Sequence, residues 1–135
     1  MEPALDHTLR RSAALVEECA QIDREISRLQ ARKAERLAER VRLLLDEIRP
    51  GQDGFEQAER SMISELSAGL RITAYAAAKQ LANAHTLQER LPGTREALAA
   101  GALTLAHADV IVETARDLPV GDDAVAAAYE AAVVP

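Results

Sequence analysis

The chain has 135 residues and a net charge of −6, with 16 Lys and Arg against 22 Asp and Glu. That length suits one domain with its own core, and the acidic balance excludes the evenly basic surface of a generic nucleic-acid binder. Alanine makes up roughly a fifth of the residues and aromatics only 2 %, so the interior must be assembled from Leu, Ile, Val and Ala on closely spaced helices. Cys19 is the single cysteine, which rules out an internal disulfide and a Cys-based zinc site. The opening MEPALDHTLRR lacks a secretory signal, and no run approaches 18 uncharged apolar residues, which predicts a soluble, cytoplasmic protein.

Residues 7 to 48 contain neither Pro nor Gly, and the spacing predicts one long helix. Leu15, Cys19, Ile22, Ile26 and Leu29 alternate steps of four and three, a heptad seam for helix pairing. Lys33 occupies the next seam position; Leu37, Val41, Leu44 and Ile48 continue after a stutter that relaxes left-handed supercoiling. A helix of this length, roughly 60 Å at 1.5 Å per residue, cannot bury its whole stripe inside a compact monomer. Either a second copy pairs with it, making a homodimer, or later helices lie along it.

RPGQDG (49–54) ends that helix. A second is predicted over 56–70, entered at Phe55 and facing inward with Met62, Ile63, Leu66 and Leu70. Thr73 reads as the N-cap of a third from Ala74 to Gln88, with Tyr75, Ala78, Leu81, Ala82 and Leu87 on its apolar face. After LPG (91–93), Thr94 reads as the cap of a short helix from Arg95 to Ala100, and Gly101 as its left-handed terminator. Thr104 caps a fifth helix to Asp117, stopped at Pro119; Asp122 or Asp123 caps a last one over Ala124–Val133. Its apolar face of Ala126, Ala127, Tyr129, Val133 and Val134 finds nothing later in the chain to cover it, as in the front portion of something larger or a domain that closes by self-association. The fold class is therefore all-α: a long N-terminal coiled-coil-like helix (1–50) and about five shorter helices (55–135) bundled back on it. Helices two and three are expected on the C-terminal half of the first.

One segment carries a family resemblance. Glu65-Leu66, Leu70-Arg71, the alanine-rich helix ending in Ala84 and Leu87, Leu91-Pro92, Ala97-Leu98 with Gly101, and His107-Ala108 follow one another over residues 60–119. Their order and spacing resemble domain-of-unknown-function family 222, the helical N-terminal domain found ahead of HNH endonuclease modules in high-GC bacteria and their phages. The resemblance implies a helical module associated with an HNH nuclease lying downstream. The nuclease constellation itself is not in this sequence: His7, His85 and His107 fall on separate helices, with no acidic or Asn partner at metal-ligand spacing. No catalytic residue, metal or cofactor is expected on this chain.

Three features compete as sites. The 91–108 stretch has the outline of a helix-turn-helix, with Ala97 and Gly101 four apart. Its second helix presents Asp109, Glu113 and Asp117 against Arg116 alone, and carboxylates repel phosphates, so plain helix packing is the better reading. Arg24, Arg28, Arg32, Arg36 and Arg40 form a ladder in steps of four, a candidate phosphate-contacting stripe diluted by Glu25, Glu35 and Glu39. His85 and His107 sit on apolar faces and are expected to be core or half-buried groups bonded to backbone carbonyls, with Tyr75 and Tyr129 at core edges. Neither a nucleophile elbow nor a phosphate loop occurs, so no small-molecule substrate is indicated.

Overall fold

A computed structural model of the chain describes residues 3–118 and 123–135. Six helices run in order: α1 (Pro3–Glu47), α2 (Phe55–Leu70), α3 (Ala74–Arg90), α4 (Pro92–Ala99), α5 (Leu105–Ala115) and α6 (Asp123–Val133), with no strand among the described residues. The protein is all-α with a long N-terminal helix, as the periodicity predicts. The expected stop at Pro119 and the Asp122 cap lie outside the described residues.

Local chemistry accounts for most of the boundaries. After α1, Gly51 and Gly54 both take left-handed backbone at φ 90°, and the Arg49 N–H donates to Gln52 Oε1 at 2.7 Å. The Thr73 hydroxyl accepts from the Ala76 N–H at 3.0 Å, and the Thr104 hydroxyl from the His107 N–H at 3.2 Å; both are the predicted caps. Gly101, at φ 78°, ends α4 in a Schellman turn. The Ala102 N–H reaches Ala97 O at 2.8 Å and the Gly101 N–H reaches Leu98 O at 3.0 Å. The α2 terminus repeats this geometry at a non-glycine residue, Arg71, with φ 57°, and the Ile72 N–H bonds Ser67 O at 3.1 Å.

One predicted boundary is wrong. Helix α4 starts at Pro92 rather than Arg95, because proline's fixed φ suits the first helical position. Thr94 is therefore inside the first turn, wholly buried, and does not cap its own helix.

Helix α1 divides into two parts. No residue from 3 to 26 is buried; from Ser27 onward the helix joins the core, with Ser27, Ala31, Ala34, Leu37, Ala38 and Leu44 buried. The line Ser27–Ala31–Ala34–Ala38 has steps of four, three and four, and its small side chains let neighbouring backbones come close. Helices α3 and α4 lie along it, while α2 rests mainly on α3. The expected return of α3 onto α1 is met, while α2 touches α1 only lightly and α4 takes the place expected of it. The approach is tightest where the α4–α5 turn meets α1: a Cβ on Gly101 would fall 2.9 Å from Arg24 Cβ and 3.1 Å from its Cα. The remaining core is Met62, Leu81, Leu87, Leu91, Leu98, Leu103, Ile111 and Val112 with their alanine neighbours.

The stutter in α1 has a structural consequence. Each step of four carries a stripe about 40° round a helix of 3.6 residues per turn. The three steps from Leu29 through Lys33 and Leu37 to Val41 therefore turn it by about 120°. Leu29 is 59 % exposed, whereas Leu37 is buried and Val41 half-buried. The apolar stripe passes from the outer side of the arm into the chain's own core.

Two further expectations fail. The buried face of α3 is Ala77, Leu81, Asn83, Ala84 and Leu87, whereas Tyr75 is 80 % exposed and Ala82 is exposed. In a helix with alanine on every side, periodicity has too little contrast to choose a face. The apolar face of α6 is covered after all, by α4 and α5. Ala126 is buried; Tyr129, Val133 and Val134 pack half-buried against the core, and Ala127 is exposed.

Candidate functional site

A cleft of about 270 Å³ lies between α1, α3 and α5. Leu37, Ala84, Leu87 and Val112 give it apolar walls, and Lys33, Lys79, Asn83 and Asp109 are its main polar groups. Asn83, buried in α3, donates to Asp109 Oδ1 in α5 at 3.1 Å and accepts from the Arg116 guanidinium. One turn earlier on α3, Lys79 pairs with Glu113 one turn further along α5, at 3.2 Å. Burial pushes the Asp109 carboxyl above the usual aspartate range, with the Asn83 hydrogen bond opposing it. The Lys79 hydrogen bond holds Glu113 below its ordinary value, and Glu113 in turn raises Lys79. Chemically this is a tie between two helices: Asn83, Asp109, Lys79 and Glu113 are each paired with another side chain, and a catalytic acid or base would need a free reach to substrate.

A second polar contact lies deeper. Glu130 of α6, only 7 % exposed, sends Oε2 to the first turn of α4. It accepts from the Thr94 N–H at 2.6 Å and from the Thr94 hydroxyl at 2.9 Å. Helix α4 has no side-chain cap of its own, so a carboxylate from a helix 36 residues away takes that place. The position suits a negative charge, since the first-turn N–H groups and the helix dipole both favour an anion. Gly93 is part of the arrangement: a Cβ there would meet the Glu130 carboxylate at 3.3–3.5 Å.

Sequence reasoning missed Asn83, Asp109 and Glu130 as tertiary partners. A signal for the first two exists in the matched spacing of Lys79 and Asn83 on α3 with Asp109 and Glu113 on α5, four residues apart in each helix. Glu130 has no such signal; its role depends on where α6 comes to rest.

The predicted candidates do not converge on a site. His107 is exposed, not half-buried, and the Nδ1 of His85 is shielded from solvent without a hydrogen-bond partner, so neither has the expected backbone bond. Among the described residues no three His, Cys, Asp or Glu side chains are grouped to hold a metal ion. No helix among them is long and apolar enough to cross a membrane.

The arginine ladder winds about 160° round α1 over four steps of four. Arg24 pairs with Glu17 at 3.2 Å, Arg36 with Glu39 at 3.0 Å, and Arg40 with Glu65 of α2 at 3.6 Å. Arg28 and Arg32 are exposed. A second pair from α1 to another helix, Arg42 with Glu89, joins α1 to α3, and its hydrogen bond raises the Arg42 pKa. In the helix-turn-helix outline, Ala108, Ile111, Val112 and Ala115 bury one side of α5, and Arg116, its only base, is held by Asn83.

The heptad seam also divides. Leu15, Cys19, Ile22, Ile26 and Leu29 are all exposed on the arm. Leu37 and Leu44 are buried, and Val41 and Ile48 half-buried, against the chain's own helices.

Comparison with curated proteins and with solved structures gives no match. One family, described as a domain of unknown function (DUF222), matches residues 13–134. That span takes in part of the exposed arm, the whole core, and both Thr94 and Glu130. The chain belongs to the DUF222 family.

Proposed function

We propose that the chain is a non-catalytic helical module that positions or assembles a DNA-acting partner domain of the HNH endonuclease type. The observation that carries this reading is how the polar side chains are used. Glu130 with Thr94, Asn83 with Asp109, Lys79 with Glu113 and Arg42 with Glu89 each join one helix to another. Groups saturated in this way lend cohesion and are poor candidates for bond-breaking chemistry. The resemblance of residues 60–119 to the domains that precede HNH modules supplies the kind of partner. The direct test incubates purified protein with supercoiled plasmid and magnesium, manganese or zinc. No nicking is expected, and cleavage that copurifies with the chain and is abolished by chelator overturns the reading.

The exposed half of the seam favours a second reading, a homodimeric coiled-coil adaptor with no nuclease link. Direct DNA binding through the arginine ladder ranks below both, since three of its five members face carboxylates. It predicts that changing Arg28, Arg32 and Arg36 together to Glu abolishes binding of a labelled duplex at low salt; a parent chain that does not bind ends it.

A further inference from the structure

The exposed arm of α1 has a register of its own. On a heptad grid through the seam, Leu5, Ser12, Cys19 and Ile26 occupy one core position and Thr8, Leu15, Ile22 and Leu29 the other. Leu9 and Val16 flank that core, and every large apolar residue among these ten is exposed. The outward positions hold the charged pairs Asp6 with Arg10 and Glu17 with Arg24. The arm is thus amphipathic in its own right, with its apolar side uncovered.

We propose that this side is covered by the same arm of a second copy, running antiparallel and centred near residue 17. In that register Leu5 of one copy lies opposite Leu29 of the other, Thr8 opposite Ile26, Ser12 opposite Ile22, and Leu15 opposite Cys19. Each layer then joins a large apolar side chain to a smaller or apolar one, and symmetry repeats it. Val16 meets its own counterpart at the flank.

Charge disfavours two competing arrangements, and the slide that sets Arg11 against Glu18 covers fewer of the arm's apolar residues. In antiparallel pairs, residues just before the first core position face their counterparts on the other chain, which puts Arg11 opposite Glu25 twice and Glu18 opposite Glu18 once. Sliding the copies by one heptad step, so that Cys19 meets Ile22, sets Glu18 against Glu25 and Arg11 against Arg32, all repulsive. A parallel pair sets Glu18 against Asp23 on both sides and gains no opposite charges. Like charges at these positions decide coiled-coil pairing.

The area suffices. The seven large apolar residues of the arm, each near half-exposed, amount to roughly 600 Å² per chain, or about 1,200 Å² for a pair, the lower edge of a stable interface. A patch of that size lies at the upper end of what monomeric proteins expose. The cores would sit at opposite ends of the paired arms, since each begins at Ser27, and the α4–α5 turn packs on the side of α1 marked by Arg24, away from the seam.

The pairing requires no nuclease, so its test is separate from the cleavage assay. Light scattering on the full chain is expected to give twice the 14.6 kDa chain mass, falling to the monomer in Ile22→Glu/Ile26→Glu while the core's thermal transition persists. Register is read by oxidising Cys19→Ser/Ser12→Cys/Ile22→Cys: a disulfide joining position 12 of one chain to position 22 of the other is expected. A monomeric parent, a double-Glu variant that stays dimeric, or linkage of like positions to each other overturns the proposal. A monomer would leave the stripe to a different protein.

Discussion

Removing the Glu130 carboxylate should destabilise the protein out of proportion to its single side chain. In Glu130→Ala, Thr94 loses the acceptor for both its N–H and its hydroxyl, and Thr94 is wholly buried. A buried donor left unpaired costs about 1–3 kcal/mol, and loss of a helix N-cap about 1 kcal/mol. Relief from burying a charge offsets part of this. The net expectation is about 2–3 kcal/mol. At about 4 °C per kcal/mol for a chain of this size, the midpoint should fall by roughly 8–12 °C. Glu130→Gln keeps one acceptor oxygen and loses the charge at the helix N-terminus, so about 1 kcal/mol is expected. Urea unfolding followed by far-ultraviolet circular dichroism measures all three proteins. A double-mutant cycle with Thr94→Val isolates the hydroxyl contact. The reasoning is refuted if Glu130→Ala loses less than about 0.5 kcal/mol, or if the two substitutions are additive, since directly bonded groups must couple.

Other substitutions test the remaining geometry. Gly101→Ala combines a left-handed backbone with a Cβ driven against Arg24; a loss of about 2 kcal/mol or more is expected in the same unfolding assay. Arg71→Gly should instead stabilise by up to about 1 kcal/mol, because Arg71 holds φ 57° without a glycine's freedom. Asp109 titrates above the ordinary 3.8 in the folded protein because burial disfavours its charge. Its ionisation therefore costs stability as pH rises through that window, and Lys79 and Arg116 only partly oppose the effect. Asp109→Asn, which keeps the acceptor for Asn83, is expected to be more stable than the parent at neutral pH, with the advantage vanishing below the ordinary aspartate range. An advantage independent of pH would show that shape rather than charge is responsible.

Much of the fold is legible in the chain because its boundaries are local chemistry. Thr73, Thr104, Gly101 and the Pro50-Gly51 breaker each act within a few residues, and the structure puts them where their chemistry requires. Faces were harder to read. Alanine all round α3 hides which side meets the core, and Tyr75, the conspicuous apolar residue, lies outside. The start of α4 was misplaced because Thr94 has a capping side chain that its burial turns to another purpose. Glu130 was illegible for a stronger reason: its partner lies on a different helix, and nothing near it in the sequence records that helix's position. The seam was legible as a pattern, while the division between its exposed and buried halves depends on a rotation that the stutter only hints at.

The carboxylate that completes α4 also imposes an order on synthesis. Thr94 leaves the ribosome 36 residues ahead of Glu130, an interval of about 2–7 s at 5–20 residues per second. Through that interval the nascent bundle has its leucines and alanines but an open helix end, and it closes only when α6 arrives. A released chain ending before residue 130 would therefore be helical yet easily cut by protease near residue 92, and extending it through α6 would make it resistant.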